Sequence, residues 1–559
     1  MTDSFDYVIV GAGSAGSVLA NRLSAGDATV CVLEAGGRDR HPFIHIPAGF
    51  MKTLTSPSVN WLYETEPSTG TAGRSIPAPR GKTLGGSSSI NGHVYNRGQS
   101  MDFDSWAQMG NRGWGYADVL PYFRRGERRI GGSDDGTYHG TDGELTVTDI
   151  DATHPLCDAF VEGCVNMGIP YNPDYNGATH EGVGYFQRTI HRGRRVSAAT
   201  SFLHPAMNRP NLEVRTRAQV EKILFDGRRA VGVRYRKGGR SVEVRARREI
   251  VLSGGAIASP QILQVSGIGP ARLLGEIGVP VIHDLPAVGE NLSDHYLARN
   301  AARVHNAPSL NERARGLALV SEVFTYATRR TGLLALSPSL VHVFWKSDPA
   351  LDKGDLQFIF TPASYKDGRP AELETYPGMT IASWPMRPQS RGYVRAKSSD
   401  TRDKPAIQPN YLDHEYDQRL TIAGLRLGRE MIRTPEMASI FVEETTPGED
   451  VQSDDELLHF ARTYGTTVFH LMGSCRMGPD SDPNCVVDDE LRVRGVEGLR
   501  VADASVIPAA HSTNTNAATI MIAEKASDMI LGKPPLPAAQ IPKQAAQDRR
   551  PNTHGGTTT

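Results

Sequence analysis

The chain has 559 residues, enough for two or more large folded units or one nucleotide-binding domain carrying an insertion. Lys+Arg 61 against Asp+Glu 62 leaves no basic footprint for nucleic acid, and no apolar run approaches the ~18–20 residues of a membrane span. Five cysteines, none in C-x-x-C spacing, support neither a disulfide framework nor a zinc knuckle, and no basic n-region leads an apolar h-region at the start. A cytoplasmic protein is expected, with peripheral attachment to the inner membrane left open.

Glycine is the compositional outlier, and its 57 residues gather into compact clusters rather than linkers. Asp6–Val10 reads as a short buried strand, Gly11-Ala-Gly-Ser-Ala-Gly16 as a tight turn, Ser17–Leu23 as a helix, and Thr29–Leu33 as a second strand closed by Glu34. Alone, G-x-G-x-x-G is weak in a glycine-rich chain. Between a strand and a helix, with an acid ending the next strand, it becomes a dinucleotide fingerprint. Gly11, Gly13 and Gly16 would bring a pyrophosphate to the helix N-terminus, where free N–H groups favour anions, and Glu34 would accept the ribose hydroxyls.

Farther along, Pro79–Asn91 is predicted as a Gly/Ser loop running into a helix, and Ile130–Gly143 as a surface loop. Asn211–Arg217, Ala218–Asp226 and Ala230–Lys237 read as three strands with a hairpin turn at Asp226-Gly227, and Glu249–Leu252 as a strand entering Gly254-Gly255 and a helix from Ser259. From about 296 to 463 the glycine clusters stop. Strands Leu356–Phe360 and Gly392–Ala396 mix there with helices Glu415–Ile432 and Asp454–Thr463. Residues 537–559 carry too little apolar content to offset ordering entropy and are expected to be a disordered tail.

Arg80-Gly-Lys-Thr-Leu-Gly-Gly-Ser-Ser-Ser-Ile-Asn-Gly92 and Ser253–Gly269 resemble the two signature motifs of the glucose–methanol–choline (GMC) oxidoreductases. Leu491–Ile530, with Val-Ala-Asp-Ala-Ser505, Asn514-Thr-Asn516 and Ile522-Ala-Glu-Lys525, resembles that family's C-terminal block. The matches keep family order from residue 6 to about 530, and the resemblance is strongest to choline-dehydrogenase-like and alkanol-dehydrogenase-like bacterial members.

The resemblance implies an α/β and α+β GMC fold: a Rossmann-like FAD-binding domain from 1–149, 195–295 and 464–536, and a discontinuous substrate domain of sheet plus helices from 150–194 and 296–463. It places Gly11, Gly13, Gly16 and Glu34 at the ADP moiety, Gly86, Ser87, Asn91, Gly92 and Val94 beside the flavin, Val220 at the adenine, and Asp503, Ala504, Asn516 and Thr519 at further flavin contacts. Members that link FAD covalently use a histidine where this chain has Ile90, so FAD is expected to be bound non-covalently.

His470 matches the family's active-site histidine, and Asn514 the second position, which is His or Asn. Imidazole suits acceptance of a hydroxyl proton near neutrality; an amide cannot titrate there and would donate to the developing alkoxide. The implied reaction takes a primary alcohol to an aldehyde with hydride transfer to flavin N5. A dehydrogenase passing electrons to a quinone or other carrier is preferred over an oxygen-using oxidase releasing hydrogen peroxide, and a lyase or decarboxylase on the same scaffold ranks lower. His511 is read as a loop or pocket-rim residue, Cys475 as a structural thiol and His191–Arg195 as a solvated or structural face; His93 is set aside. No metal site is expected. An aromatic cage for trimethylammonium is not legible, so choline is one alcohol among several.

Overall fold

The computed structural model describes residues 3–132, 136–150, 153–366 and 372–542. The first sheet runs in the order Leu212–Thr216, Val30–Glu34, Asp3–Val10, Arg240–Leu252, Arg229–Lys237, Gln219–Asp226, with Leu499–Val501 added beside Arg240–Leu252. Its parallel centre is apolar on both faces: every residue of Val30–Glu34 is buried, as are Val8 and Ile9, because helices cover both sides. Arg240–Leu252 extends nine residues upstream of the strand read from the sequence. Its first half pairs antiparallel with Arg229–Lys237 and its last three residues pair parallel with Leu499–Val501, which brings the end of the chain into this sheet.

The second sheet is ordered Phe441–Thr446, Tyr296–Val304, Gly378–Pro385, Leu356–Thr361, Val341–Trp345, Gly182–Tyr185, all antiparallel, and Thr466–Thr467 pairs with Tyr296 and Leu297. Strand alternation sorts its two faces. Phe358, Phe360, Met379 and Ile381 pack with Leu420 and Met431 of helix Glu415–Met431, while Gln357, Ile359, Ala382 and Trp384 face a cavity toward the first sheet.

Two local expectations change. The loop from Pro79 does not enter a helix: Gly85 and Gly86 both hold positive φ, a 3₁₀ turn spans only Gly86–Ser89, and the next helix is Ser100–Gln108. The helix expected from Ser259 begins at Gly255, because Asp503 accepts the Gly255 N–H and ties the helix start to the C-terminal segment. Of the segment 537–559, residues 537–542 lie against the body of the protein: Ala539 N–H donates to the Ala117 carbonyl at 2.8 Å and Ile541 packs on the core. Residues 543–559 lie outside the described residues.

Candidate active site

One cavity of about 420 Å³ lies between the two sheets. Its floor is built from glycine contacts. Gly11 holds φ +100°, and a Cβ there would sit 2.5 Å from the Ser253 carbonyl oxygen. At Gly16 a Cβ would fall 1.9 Å from the Gly11 oxygen, so this glycine lets helix Ser14–Leu23 close on the turn and is absent from the cavity wall. Gly86, at φ +51°, would place a Cβ 2.7 Å from the Gly13 Cα. The two glycine loops, distant in sequence, therefore touch, and any side chain at Gly86 would force them apart.

Glu34 is buried at the end of its strand, where Oε2 accepts the Ala12 N–H at 2.9 Å and Oε1 the Gly36 N–H at 2.7 Å. Burial pushes its carboxyl up to about 7, against the pull of those N–H groups and of Lys82. Ser87, Asn91, Gly92, Val94 and Val220 line the same cavity. The Asn91 side-chain oxygen accepts from Arg195 Nη1 at 2.7 Å, and that guanidinium also reaches the carbonyls of Asn91 and Ile44. Arg195 is thus a buried brace for the loop that carries Asn91, and burial lowers it to about 9. The Val220 carbonyl is taken by the Thr401 hydroxyl at 2.6 Å.

Asp503, Ala504, Asn516 and Thr519 also line the cavity, but their polar groups are largely committed to protein partners. Asp503 accepts from Gly255 N–H, the Ser259 hydroxyl and Ser505 N–H; Asn516 Oδ1 accepts from the Ser14 hydroxyl; the Thr519 hydroxyl donates to the Thr515 carbonyl. Ile90 reaches the wall while packing among Ile44 and Val59. His93, set aside in the sequence, is wholly buried in that wall with neither ring nitrogen partnered, and burial holds it well below the usual histidine range.

His470 and Asn514 are brought together. Asn514 Nδ2 lies 2.9 Å from His470 Nε2, and the Thr513 hydroxyl donates to Asn514 Oδ1, which leaves the amide nitrogen facing the imidazole. A proton order follows from His295, which the sequence reading missed. Its Nε2 is 2.8 Å from the Met386 carbonyl, an acceptor only, so that nitrogen carries the proton. Its Nδ1 then accepts, and His470 Nδ1, 3.0 Å away, donates to it. His470 Nε2 is left with its lone pair, directed at Asn514 and lining the cavity with it.

The backbone fixes this ring from behind. Phe469 holds φ +69°, a conformation uncommon for a bulky residue, and its carbonyl accepts from Arg80 at 2.8 Å. Asp294 Oδ1 accepts the N–H of both His470 and His295, while Oδ2 takes the hydroxyls of Tyr411 and Thr467. Burial, with the adjoining His295 and His511 rings and the Arg80 guanidinium disfavouring a further positive charge, holds His470 well below the usual histidine range. His511 is not at the rim: it is fully buried, edge-on to Trp106, with Nε2 3.3 Å from the Asn514 carbonyl. The Asp294-His295 pair was visible in the sequence, but its partner lies at 470 and only the fold joins them. Cys475 is buried and its thiol is pushed well up, as a structural thiol should be.

The sequence matches the GMC oxidoreductase family over residues 5–297 and 388–523. The chain belongs to the GMC oxidoreductases. It is 43% identical over 537 residues to the alcohol dehydrogenase (acceptor) of Pseudomonas putida, covering 95% of this chain and 96% of that protein. It is 42% identical over 554 residues to the mitochondrial choline dehydrogenase of Homo sapiens, covering 97% and 92%. Among solved structures, pyridoxine 4-oxidase from Mesorbium loti superposes with a TM-score of 0.84 at 32% identity, over 94% of this chain and 98% of that one. This GMC protein is an FAD-dependent oxidoreductase acting on CH–OH donors. Its own residues fit the cofactor: touching glycine loops, the buried carboxylate of Glu34 and the His470–Asn514 pair all face one continuous cavity.

Proposed function

We propose that this GMC oxidoreductase oxidises a primary alcohol to an aldehyde, with His470 as base and Asn514 as hydrogen-bond donor. The observation that carries this is the proton order Met386–His295–His470, which leaves a lone pair on His470 Nε2 inside the cavity. Bound FAD supplies the hydride acceptor. His470 Nε2 takes the hydroxyl proton, and the Asn514 amide donates to the oxygen as charge builds on it. The Nδ1–H bond to His295 keeps the ring oriented while it gains positive charge.

In this reading Gly11, Gly13 and Glu34 hold the ADP moiety while Gly16 lets the helix close behind the turn, Val220 borders the adenine, and Gly86, Ser87, Asn91, Gly92 and Val94 meet the flavin. Asp503, Ala504, Asn516 and Thr519 shape the same wall from the C-terminal segment, and the domain division read from the sequence assigns these parts to the FAD domain. Ile90 supports non-covalent FAD; acid precipitation should release all the flavin into the supernatant, and flavin left in the pellet would implicate His93.

A carrier-linked dehydrogenase is preferred over an oxidase. One surface supports a quinone-bearing membrane as the carrier's location. Among the described residues no helix is long and apolar enough to cross a membrane. Helix Gly316–Arg329, however, exposes Leu317, Val320, Val323 and Phe324, the first at 87% and the last at 69%. Its one carboxylate, Glu322, is turned inward onto Arg313, and Arg315, Arg329 and Arg330 flank the apolar face. Exposed apolar residues bordered by arginines suit an anionic lipid surface. Anaerobic mixing with hexanol, benzyl alcohol, hydroxymethylfurfural and choline tests the reaction: bleaching of the flavin by an alcohol supports it, recovery in air would favour an oxidase, and no bleaching by any alcohol would refute it.

A further inference from the structure

The cavity face of the second sheet contains polar atoms that the proton transfer does not use. Gln357 and Trp384 are cross-strand partners, and the Trp384 ring centroid lies 6.4 Å from that of His470. Both residues are almost wholly inaccessible. Gln357 has no partner for Oε1 or Nε2, and Trp384 has none for Nε1. A buried unpaired polar atom costs about 1–3 kcal/mol, so three of them beside a catalytic base call for an occupant. The alternation of Leu356–Thr361 makes this pointed. Residues 356, 358 and 360 are apolar and face the helix side, whereas the inward position paired with Trp384 is a glutamine.

Hydrogen-bonding capacity narrows the occupant. A quaternary ammonium offers these atoms neither a donor nor an acceptor. A plain alkyl chain would leave the Gln357 and Trp384 groups unpaired. A hydroxyl both donates and accepts, so it can pair with one atom of the Gln357 amide while accepting from the Trp384 N–H.

Resting on the alcohol-oxidation reading above, we propose that the site selects diols and related polyols: His470 and Asn514 engage the reacting hydroxyl, and Gln357 with Trp384 bind a second hydroxyl a few atoms along the chain. The test compares 1,4-butanediol, 1-pentanol and choline in holoenzyme, by anaerobic flavin reduction and by perturbation of the oxidised flavin spectrum on binding. Pentanol replaces the second hydroxyl by a methyl group of similar size. The diol should exceed both others at least tenfold in reduction efficiency, through KM more than kcat. Gln357→Met should cut the diol-to-pentanol ratio at least tenfold, and Trp384→Phe, which keeps the ring and loses the N–H, should cut it in the same direction; flavin content reports whether each variant folds. Equal or better use of pentanol or choline by the wild type, or an unchanged ratio in both variants, would overturn the proposal. If no alcohol reduces the flavin, the oxidation reading fails, and the diol site then stands or falls on the binding perturbation alone.

Discussion

At His470, chemistry is set by what the second ring nitrogen must do. Because His295 Nδ1 can only accept, His470 keeps its proton on Nδ1 and its lone pair on Nε2. His470→Ala with flavin retained should lower kcat/KM by about 10²–10⁴, and Asn514→Ala by about 10², the usual scale for losing a base and one oxyanion donor. Burial and neighbouring positive charge depress His470, so the neutral base persists as pH falls through 6.5. The acid limb of the kcat/KM profile should therefore lie below 6.5; a limb at or above that value would contradict the assignment.

Elements are held in register by a few buried charges. Glu524 on helix Thr515–Ile530 is fully buried and pairs with Arg22 of helix Ser14–Leu23 and Arg125 of helix Tyr116–Gly126 at 2.7 Å each. That helix begins immediately after Asn514, so the same contact steadies the segment that carries the Asn514 amide. Glu524→Ala, which leaves Arg22 with Glu144 alone and Arg125 with Asp528 alone, should destabilise by about 1–3 kcal/mol, measured by chemical denaturation. Helix Gly316–Arg329 is the contrasting case, with Tyr326 as its buried side chain. Replacing Val320 and Phe324 by Ser should abolish co-sedimentation with anionic phospholipid vesicles while leaving the flavin spectrum intact; retention of vesicle binding would exclude this helix as the contact.

For the whole molecule, burial of histidines sets the response to acid. His93, His342 and His470 are held well below 6.5, and His180 and His295 are lowered to about 4, in each case chiefly by burial. Such groups are neutral in both states above 6.5. Below it the unfolded chain takes the proton first, so each removes about 1.4 kcal/mol per pH unit until its folded value is reached. Glu34, raised to about 7, acts in the opposite sense, since its native carboxyl takes up a proton before the unfolded one does; Asp294 and Asp503, also raised by burial, share that sign. With His154, His191, His283 and His511 also lowered, nine histidines outweigh these three carboxyls and the raised His139, and the thermal midpoint should fall as pH drops from 7 to 5. A midpoint that held or rose would show that the carboxylates dominate.

The sequence by itself determined the first strand–turn–helix, the acid at Glu34 and the family motifs, because those rest on local periodicity and on glycines needed within a few residues of each other. It named His470 and Asn514 by resemblance. It missed His295 and Asp294, set His93 aside, and placed His511 in a loop or at the pocket rim, of which only the loop holds, because burial and proton order depend on partners far away in the chain. Only the tertiary structure brought Gly13 against Gly86 and His295 against His470, and only strand pairing put Gln357 and Trp384 on one face beside the base. Periodicity along a strand tells which residues share a face; what that face meets is decided when the second sheet closes over the first.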